Sequence, residues 1–304
     1  MRYRKLNLAQ FFLSIRSEHD ARLWLWRAKC RGQDFVCPRC ANDKFYPLRT
    51  RPEVRKCQRC RRHVRLRADT ILENSKLPLL VWFRALFLMM QDKRGASAWQ
   101  IKRQLKMKSY GTAWNLLHKI RHALVQRDDR YVLRDLIELD GADFRRQAHR
   151  ERAQVLIAVE SKNWVDEEGR PKSRAGFAKV FVGNESNANV DKFVSTAIER
   201  GSHIHSDAGG VFAWGLPHLK VESKVVTGNK ELLDRWLPWV HKYISNAKTW
   251  LIGTHHGIRA KYLTRYLGEY TYRFNRRHDP DSLFHRALIA CAIALPTTQG
   301  ALCG

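Results

Sequence analysis

Residues 134–144 have the sequence Arg134-Asp-Leu-Ile-Glu-Leu-Asp-Gly-Ala-Asp-Phe144. Leu136, Ile137 and Leu139 favour a β-strand, and alternation puts Glu138 and Asp140 on the face opposite Ile137 and Leu139. A carboxylate at the end of a buried strand is costly to desolvate unless a positive group meets it. Metal binding is therefore the functional hypothesis for Asp140, and a solvated strand end is the alternative.

Further apolar runs after this strand predict an α/β domain. They indicate strands 154–160 and 177–182, a helix 189–200, strands 203–207 and 221–226, and two long helical stretches, 231–251 and 258–277. The polar segment 161–175 is predicted to be a hairpin loop, and Pro238 to kink or divide the first long helix. Strand, strand, strand, helix, strand, helix is the order of a ribonuclease H-like fold, so we expect that class here.

Asp207 ends another predicted strand, just before a predicted closing turn at Ala208-Gly-Gly210. If its strand neighbours that of Asp140, the two carboxylates converge on one site, which serves a two-metal phosphoryl transfer with ions about 4 Å apart. Mg²⁺ suits such a site because it takes hard oxygen ligands and retains waters. A third ligand is expected on a helix after the last strand, where the candidates are Asn246 and Glu269.

Two cysteine pairs near the N-terminus predict a zinc ribbon. Cys37-Pro-Arg-Cys40 and Cys57-Gln-Arg-Cys60 are separated by sixteen residues, and two thiolates from each tight turn complete a tetrahedron. Four thiolates leave no open position for water, so the predicted Zn²⁺ is structural. Cys30, Cys291 and Cys303 lack this spacing and are interpreted as ordinary thiols.

Basic side chains surround the second cysteine pair and continue past it. They are Arg55, Lys56, Arg59, Arg61, Arg62, Arg65 and Arg67. Such a stripe is typical of a surface that tracks phosphates, and a merely solvated face is the alternative. Arg59, Arg61 and Arg62 are the predicted DNA contacts of the ribbon.

Helices are expected between the ribbon and the first strand of the α/β domain. An apolar run 77–91, a short helix capped by Ser97 and a longer helix 110–125 match the helix-turn-helix pattern. Lys119 and Arg121 on the last helix are its predicted DNA contacts, and a plain three-helix bundle is the alternative. Both interpretations place the same side chains in the core: Trp99, Ile101, Leu105, Trp114, Leu117 and Ile120.

The charge of the whole chain favours a nucleic-acid partner. Lys and Arg number 56 against 29 Asp and Glu, a net charge of +27 spread along 304 residues. This balance suits a surface that meets a long polyanion, with a highly soluble basic protein as the alternative. No secretory signal or membrane-spanning run is recognised, so we expect a cytoplasmic, nucleoid-associated bacterial protein without a membrane partner.

The expected fold class is therefore α+β and multidomain. The predicted parts are an N-terminal helical segment 1–30, a zinc ribbon 31–68, a helix-turn-helix DNA-binding domain 69–130 and a ribonuclease H-like α/β catalytic domain 131–304.

Motifs along nearly the whole chain carry a family resemblance. They are the two cysteine pairs, Ser75-Lys-Leu-Pro-Leu-Leu-Val-Trp-Phe83, Thr112-Ala-Trp-Asn-Leu-Leu-His-Lys-Ile-Arg121, Glu138-Leu-Asp140, Ser206-Asp207, Gly253-Thr-His-His-Gly257 and Tyr270-Thr-Tyr-Arg-Phe-Asn-Arg-Arg277. Together they resemble bacterial insertion-sequence transposases of the ISXO type, a zinc-ribbon branch of the DDE transposase superfamily.

The resemblance implies an activity and its partners. It implies DNA-strand cleavage and strand transfer at the ends of an insertion sequence, with catalytic Mg²⁺ held by Asp140 and Asp207. The implied partners are double-stranded DNA, as terminal repeats and as target, and a second copy of the chain, since such transposition joins two ends.

The third acidic position departs from the superfamily pattern. Asn246 stands where Glu is usual, with Lys248 close after it, and some members of this branch are similar. An amide oxygen supplies no negative charge, so a second metal is expected to bind more weakly unless Glu269 helps. Lys248 is predicted to hold a phosphate oxygen or the DNA strand. The alternative for Glu269 is an ion pair with Arg265 or Arg273.

Near the C-terminus, Arg276 and Arg277 are further predicted DNA contacts. Two rival hypotheses stay open at this point. One is a non-catalytic DNA-binding regulator derived from a transposase, which uses only the first half of the chain. The other is a metal-dependent nuclease without strand transfer, which differs only in its products.

Overall fold

A computed structural model describes residues 4–145, 152–207, 220–225 and 230–303. The chain forms two compact units. The first unit combines Met1–Arg127 with Arg276–Gly304, and the second unit is Asp128–Asn275. The predicted closing turn 208–210 and the predicted strand end at Val226 lie outside the described residues.

The helices and strands follow the chain in this order. Up to the unit boundary they are α1 (Leu8–Ser14), α2 (Glu18–Lys29), β1 (Phe45–Pro47), β2 (Val54–Cys57), β3 (His63–Arg65), α3 (Leu79–Gln91), α4 (Ala98–Gln104) and α5 (Tyr110–Asp128). Next come β4 (Leu136–Arg145), β5 (Arg152–Val165), β6 (Pro171–Val182), α6 (Asn187–Ala197), β7 (His203–Asp207), β8 (Lys220–Lys224), α7 (Lys230–Trp236), α8 (Pro238–His255) and α9 (Ala260–Phe274). A short 3₁₀ turn (Pro280–Ser282), α10 (Leu283–Ile293) and α11 (Gln299–Cys303) complete the chain.

The first unit joins helices to a small antiparallel sheet of order β1-β2-β3. Ser17 and Asp20 form a capping box at the start of α2, and the Glu18 carboxylate accepts the backbone N–H groups of Leu79 and Leu80 at the start of α3. The C-terminal α10 packs on α2 and α3, which places residues 276–304 in this unit. Of the predicted catalytic domain 131–304, only the part up to Asn275 forms the second unit.

The three predicted helices before the α/β domain are present as α3, α4 and α5. Ser97 caps α4 as expected, since its hydroxyl oxygen accepts the N–H of Gln100. Ile101, Leu117 and Ile120 are buried. The prediction that Trp99 is a core residue is wrong, because its side chain is 64% exposed. Whether these helices read DNA stays a prediction.

The second unit is built on a mixed sheet of order β6-β5-β4-β7-β8. Strands β6, β5 and β4 pair antiparallel, whereas β4, β7 and β8 pair parallel. Ile137 and Leu139 of β4 pack with α6 in one core, and Ile157 of β5 packs with α8 and α9 in another. The sheet therefore lies between helices, with Glu138 on the face opposite Ile137, as the alternation predicts.

The predicted hairpin loop 161–175 is wrong. Strands β5 and β6 continue to pair from Ser161↔Ala175 out to Val165↔Pro171. The turn between them is closed by Asp166, which accepts the N–H of Arg170. Residues 162–174 are mostly exposed on both faces of this arm, so its sequence is mainly polar, with Trp164 and Val165 as exceptions, and gives no alternating apolar pattern.

Pro238 divides the predicted helical stretch 231–251 into two helices, as expected. Helix α7 ends at Trp236 and α8 begins at Pro238.

The first and last residues of the second unit are in contact, because the Asn275 amide donates to Asp128 Oδ2 at 3.1 Å. Within the part of the chain that is described, no helix is long and apolar enough to cross a membrane.

Candidate functional site

The four predicted zinc ligands come together in the first unit. The sulfur atoms of Cys37, Cys40, Cys57 and Cys60 all lie within 4.8 Å of one another. A tetrahedral Zn²⁺ with Zn–S bonds near 2.3 Å separates its sulfurs by about 3.8 Å, so this set fits one ion. Burial opposes ionisation of Cys57, but backbone N–H donors of Cys60 and Arg59 outweigh it and lower its pKa to about 6. The thiolate, which is the form that binds metal, is thereby favoured.

Two equivalent tight turns present these sulfurs. In the first, the N–H of Ala41 donates to the carbonyl of Cys37 at 2.9 Å, and in the second the N–H of Arg61 donates to that of Cys57 at 3.1 Å. Ala41 and Arg61 have left-handed backbones, with φ of 56° and 61°. The C-x2-C spacing therefore folds twice into the same knuckle.

The basic stripe of the ribbon divides into exposed and internal side chains. Arg59, Arg61 and Arg62 are exposed, as a phosphate contact requires. Arg55, in contrast, is buried and its guanidinium lies over two aromatic rings. Arg67 is held by a carboxylate and two backbone carbonyls. These last two arginines support the ribbon and are not part of its exposed charge.

The predicted carboxylates of the second unit lie at matched positions on neighbouring strands. Strands β4 and β7 pair in parallel up to Leu139↔Ser206. Asp140 and Asp207 are the next residue on each strand. Because the pairing partners Glu138 and His205 lie two residues earlier, both aspartates are on the same face of the sheet.

A cleft of about 410 Å³ opens along β4 beyond its last pairing with β7. It is lined by Asp140, Gly141, Ala142, Asp143, Gln154, Glu185, His241, Ile244 and Lys248. The cleft thus combines three carboxylates, one imidazole and one ammonium group. Among the described residues, only the four ribbon cysteines hold three or more metal-ligating atoms within 4.8 Å, so the carboxylates of the cleft are more widely spaced.

The pKa of Asp140 is shifted by its burial and by the charged groups around it. Burial raises the pKa of Asp140 to about 7, although the N–H of Gly141 donates to its Oδ1 at 2.8 Å and opposes the shift. The charges of Glu185 and Asp207 raise the pKa further, and Lys248 lowers it. A cation near these carboxylates would favour their ionised form.

Helix α8 contributes one face to the cleft. His241, Ile244 and Lys248 are spaced at i, i+3 and i+7, so they lie along one side of the helix. His241 Nε2 is 3.5 Å from Asp140 Oδ2, and Lys248 Nζ is 5.5 Å from the centre of the Phe144 ring. Lys248 lines the cleft, and its predicted contact with phosphate or the DNA strand stays a prediction.

The structure does not bring the two predicted third ligands into the cleft. Asn246 is exposed and lies about 200° around α8 from Lys248, so it belongs to a different helix face. Glu269 is 0% exposed on α9, with its Oε1 3.7 Å from Arg273 Nη1. The alternative interpretation of Glu269 as an ion-pair partner of Arg273 is the one that this geometry favours.

The predicted DNA contacts outside the ribbon differ in exposure. Lys119 and Arg277 are partly exposed, but Arg121 is 1% exposed and Arg276 is 9% exposed. A guanidinium buried to this extent does not reach a phosphate without moving. Arg121 lies on the face of α5 that also carries the buried Leu117, which the sequence pattern of a basic helix does not reveal.

One family comparison matches this architecture. A family model described as the ISXO2-like transposase domain matches residues 122–275, just over half of the chain. The chain belongs to the ISXO2-like transposase family. The matched residues of this transposase coincide almost completely with the second unit, Asp128–Asn275, which contains the cleft. Membership implies a DNA substrate and confirms the resemblance drawn from the motifs. A search of curated proteins gives no match.

Three cleft residues of this transposase were not predicted from its sequence. His241 could have been found, because it lies seven residues before Lys248 and therefore on the same helix face. Asp143 belongs to the quoted strand, but alternation places it on the other face from Asp140. Glu185 lies in the short connection between β6 and α6, where no periodic pattern marks a side chain as functional.

Proposed function

We propose that this transposase cleaves and joins DNA strands in the cleft of its second unit with Mg²⁺, and binds the ends of its insertion sequence through the first unit. The second unit is then a ribonuclease H-like catalytic domain. The observation that carries the proposal is the matched placement of Asp140 and Asp207 after the last paired residues of two parallel strands.

The donor set of the cleft fits Mg²⁺. Asp140 lines the cleft and Asp207 lies at the matched position on the neighbouring strand β7, and both offer the hard carboxylate oxygens that Mg²⁺ prefers. The open cleft leaves room for retained waters and for phosphate. In a two-metal site the ligands are distributed over ions about 4 Å apart, so they need not cluster around a single point. When bound, Mg²⁺ supplies Lewis-acid activation of a water or a 3′-hydroxyl.

The remaining residues of the cleft have roles that follow from their charge and position. Lys248 presents a cation beside the carboxylates and can hold a non-bridging phosphate oxygen of the DNA strand. His241 lies against Asp140 Oδ2 and restrains its orientation. No covalent protein intermediate is required, so neither serine nor tyrosine is assigned as a nucleophile.

The first unit is proposed to supply most of the DNA affinity. Arg59, Arg61 and Arg62 are exposed on the second knuckle of the ribbon, and Lys119 is partly exposed on α5. Each cation that neutralises a phosphate releases a counterion, which makes binding strongly dependent on salt. The surplus of positive charge in the chain supports this role.

A cleavage and joining assay tests the proposal. The substrate is a labelled duplex that carries the terminal repeat of the element, with Mg²⁺ present and zinc retained in the ribbon. We expect Asp140→Asn and Asp207→Asn each to lower strand cleavage by about 10³-fold, since several kcal/mol of transition-state stabilisation depend on the metals. DNA affinity should change little.

Asp135→Asn is a matched control. Asp135 is exposed, lies on the same segment as Asp140 and has a left-handed backbone with φ of 67°, which asparagine tolerates well. It should retain full activity. Cleavage that survives the loss of Asp140 would contradict the proposal. Tight DNA binding by the wild-type protein without any products would instead favour a DNA-binding regulator.

A further inference from the structure

Two exposed aromatic side chains, Trp99 and Tyr110, lie side by side at the starts of α4 and α5. Trp99 is the second residue of α4 and is 64% exposed, and Tyr110 is the first residue of α5 and is 41% exposed. Their ring centroids are 5.3 Å apart, with an angle of 41° between the ring planes. A single exposed tryptophan is ordinary, but two large rings in contact form an apolar surface that a binding partner can cover.

The local fold keeps this aromatic pair at the surface. Ile101 lies about 200° around α4 from Trp99 and is fully buried, so the opposite side of the helix packs in the core. The Ser97 hydroxyl caps the start of the helix. After the helix the chain turns through Lys106, whose backbone is left-handed with φ of 49°. This short turn leads directly into α5 and sets Tyr110 next to the indole.

The charge around the aromatic pair in the sequence is entirely positive. Residues 93–127 contain nine Lys and Arg residues and no Asp or Glu. Four of these cations lie between the two rings in the chain, namely Lys102, Arg103, Lys106 and Lys108. The Lys102 ammonium is 4.8 Å from the centre of the Trp99 ring, and the other three are exposed. No described carboxylate forms an ion pair with any of the four. Charge of a single sign suits a polyanion as the partner.

We propose that the aromatic pair stacks against a nucleobase of DNA while the flanking cations hold the neighbouring phosphates. This inference rests on the proposed DNA binding by the first unit, and it names the part of that unit that touches a base. Every base has a flat π-face, so an exposed indole binds it with little regard to sequence. Stacked neighbours cover the base faces inside a duplex, so the base that binds here is unpaired or unstacked.

Two labelled strands of equal length test the proposal. One is oligothymidine, and the other is an abasic oligodeoxynucleotide, which has the same phosphates without the bases. We expect the zinc-loaded wild-type protein to bind oligothymidine more tightly than the abasic strand. Trp99→Ala should lose about tenfold in affinity for oligothymidine and less than about twofold for the abasic strand. Fluorescence anisotropy measures both affinities, and an unchanged melting temperature shows that the variant is folded.

Trp164→Ala is a matched control. Trp164 is 45% exposed on β5 of the second unit, and the Arg174 guanidinium lies 5.7 Å from the centre of its ring. This site therefore also combines an exposed indole with a cation, and its loss should leave both affinities within about twofold. Trp99→Phe keeps a ring for stacking and should retain most of the affinity for oligothymidine.

Lys102→Gln tests the phosphate contacts separately. It removes the cation beside the indole but keeps both rings. Both strands should therefore lose affinity by a similar factor, about threefold, because they carry the same phosphates. If neither strand loses affinity, this cation does not hold a phosphate, and that part of the proposal is wrong.

The outcomes separate the inference from the proposed function. If Trp99→Ala binds oligothymidine as the wild type does, or loses the same factor for both strands, the aromatic pair does not contact a base and the inference is wrong. Duplex binding measured in parallel would then still support the proposed function. A change in molar mass by light scattering, with DNA affinity unchanged, would make the aromatic pair a protein interface and overturn the inference. A wild-type protein that binds neither the strands nor a duplex would contradict the proposed function itself.

Discussion

The Glu138 carboxylate accepts the backbone N–H of Trp239 at 2.7 Å. The same oxygen accepts the N–H of Val240 at 2.9 Å, so one side chain of β4 satisfies two donors that the first turn of α8 leaves unpaired. Asp140 follows two residues later on the same strand face, and His241 follows Val240 on the helix. This contact therefore sets the spacing of the two elements that form the cleft.

Removal of the Glu138 carboxylate should destabilise the second unit. We expect Glu138→Ala to lower the free energy of unfolding by about 2–3 kcal/mol, because two N–H groups lose their buried acceptor. Glu138→Gln keeps an acceptor oxygen and should lose about 1 kcal/mol or less. Urea unfolding measures both, with the exposed Glu222→Ala as the control. Equal stability of the alanine and glutamine variants would contradict this explanation.

Lys248 should affect catalysis more than metal binding. Replacing it with methionine removes the cation that the proposed function places against a phosphate oxygen, and we expect about 10²-fold slower strand cleavage, as for loss of one electrostatic donor. Lys242→Met, on an exposed face of α8, should leave the rate within about twofold. Single-turnover cleavage and Mn²⁺ binding would be measured together. A loss confined to DNA affinity would show that Lys248 only binds the strand.

Zinc removal should unfold the ribbon and weaken DNA binding. Cys57→Ser takes away one of four thiolates, and structural zinc supplies folding free energy directly. We expect less than one bound zinc per chain and at least tenfold weaker DNA binding. Cys30→Ser, a buried cysteine outside the cluster, should keep one zinc. Mn²⁺ binding by the cleft should persist in both variants, and its loss in Cys57→Ser would mean that the ribbon also supports the cleft.

The three exposed arginines of the second knuckle should contribute to the salt dependence of the DNA-binding constant. If all three contact phosphates, replacing Arg59, Arg61 and Arg62 with alanine lowers the slope of log K against log salt by up to about 2.7, since each contact contributes about 0.9. The matched triple lysine variant keeps the charge and should keep the slope. Fluorescence anisotropy over a salt series measures it. An unchanged slope in the alanine variant would assign these arginines to a solvated face.

His285 should make the first unit less stable in mild acid. Burial, with the nearby charges of Arg4 and Arg286, lowers its pKa from 6.5 to about 4. Its Nδ1 accepts the backbone N–H of Arg4 at 2.8 Å, which requires a neutral ring. Below pH 6.5 the unfolded chain therefore binds a proton that the folded chain excludes, so stability falls as the pH drops towards 4.

His285→Asn keeps an acceptor near the position of Nδ1 but does not titrate. Between pH 6.5 and 4 its stability should fall by roughly 1–2 kcal/mol less than that of the wild type, allowing for solvent screening. Thermal unfolding at several pH values provides the comparison. Parallel stability curves for the two proteins would exclude His285 as the titrating group.

Sequence patterns predicted the framework of the site because its two aspartates lie on strands that the sequence predicts. Asp140 lies within β4, which continues past the predicted end at Gly141 to Arg145, and Asp207 is the last residue of β7. The cysteine pairs have a spacing set by metal geometry. The strand pattern and the cysteine spacing each involve only residues close together in the sequence, so both can be recognised without the structure. The order of strands and helices around them follows from hydrophobic periodicity in the same way.

The remaining features depend on contacts between residues far apart in the chain. Glu185 lines the cleft only because β6 and α6 bring it over Gly141, and Arg121 is buried because its side of α5 meets the core. Arg121 was expected to be exposed and is buried, whereas Trp99 was expected in the core and is exposed. Asn246 and Lys248 are adjacent in a motif but lie on different helix faces, which a linear motif does not distinguish.

The hydrogen bond between Asn275 and Asp128 makes the second unit an insertion with closed ends. The chain leaves the first unit after Arg127 and returns to it at Arg276, and the side chains of the first and last residues of the insertion are in contact. A short glycine linker should therefore bridge the gap if residues 128–275 are excised. A cleft carried on one continuous insertion can therefore be exchanged without changing the sequence of the other unit.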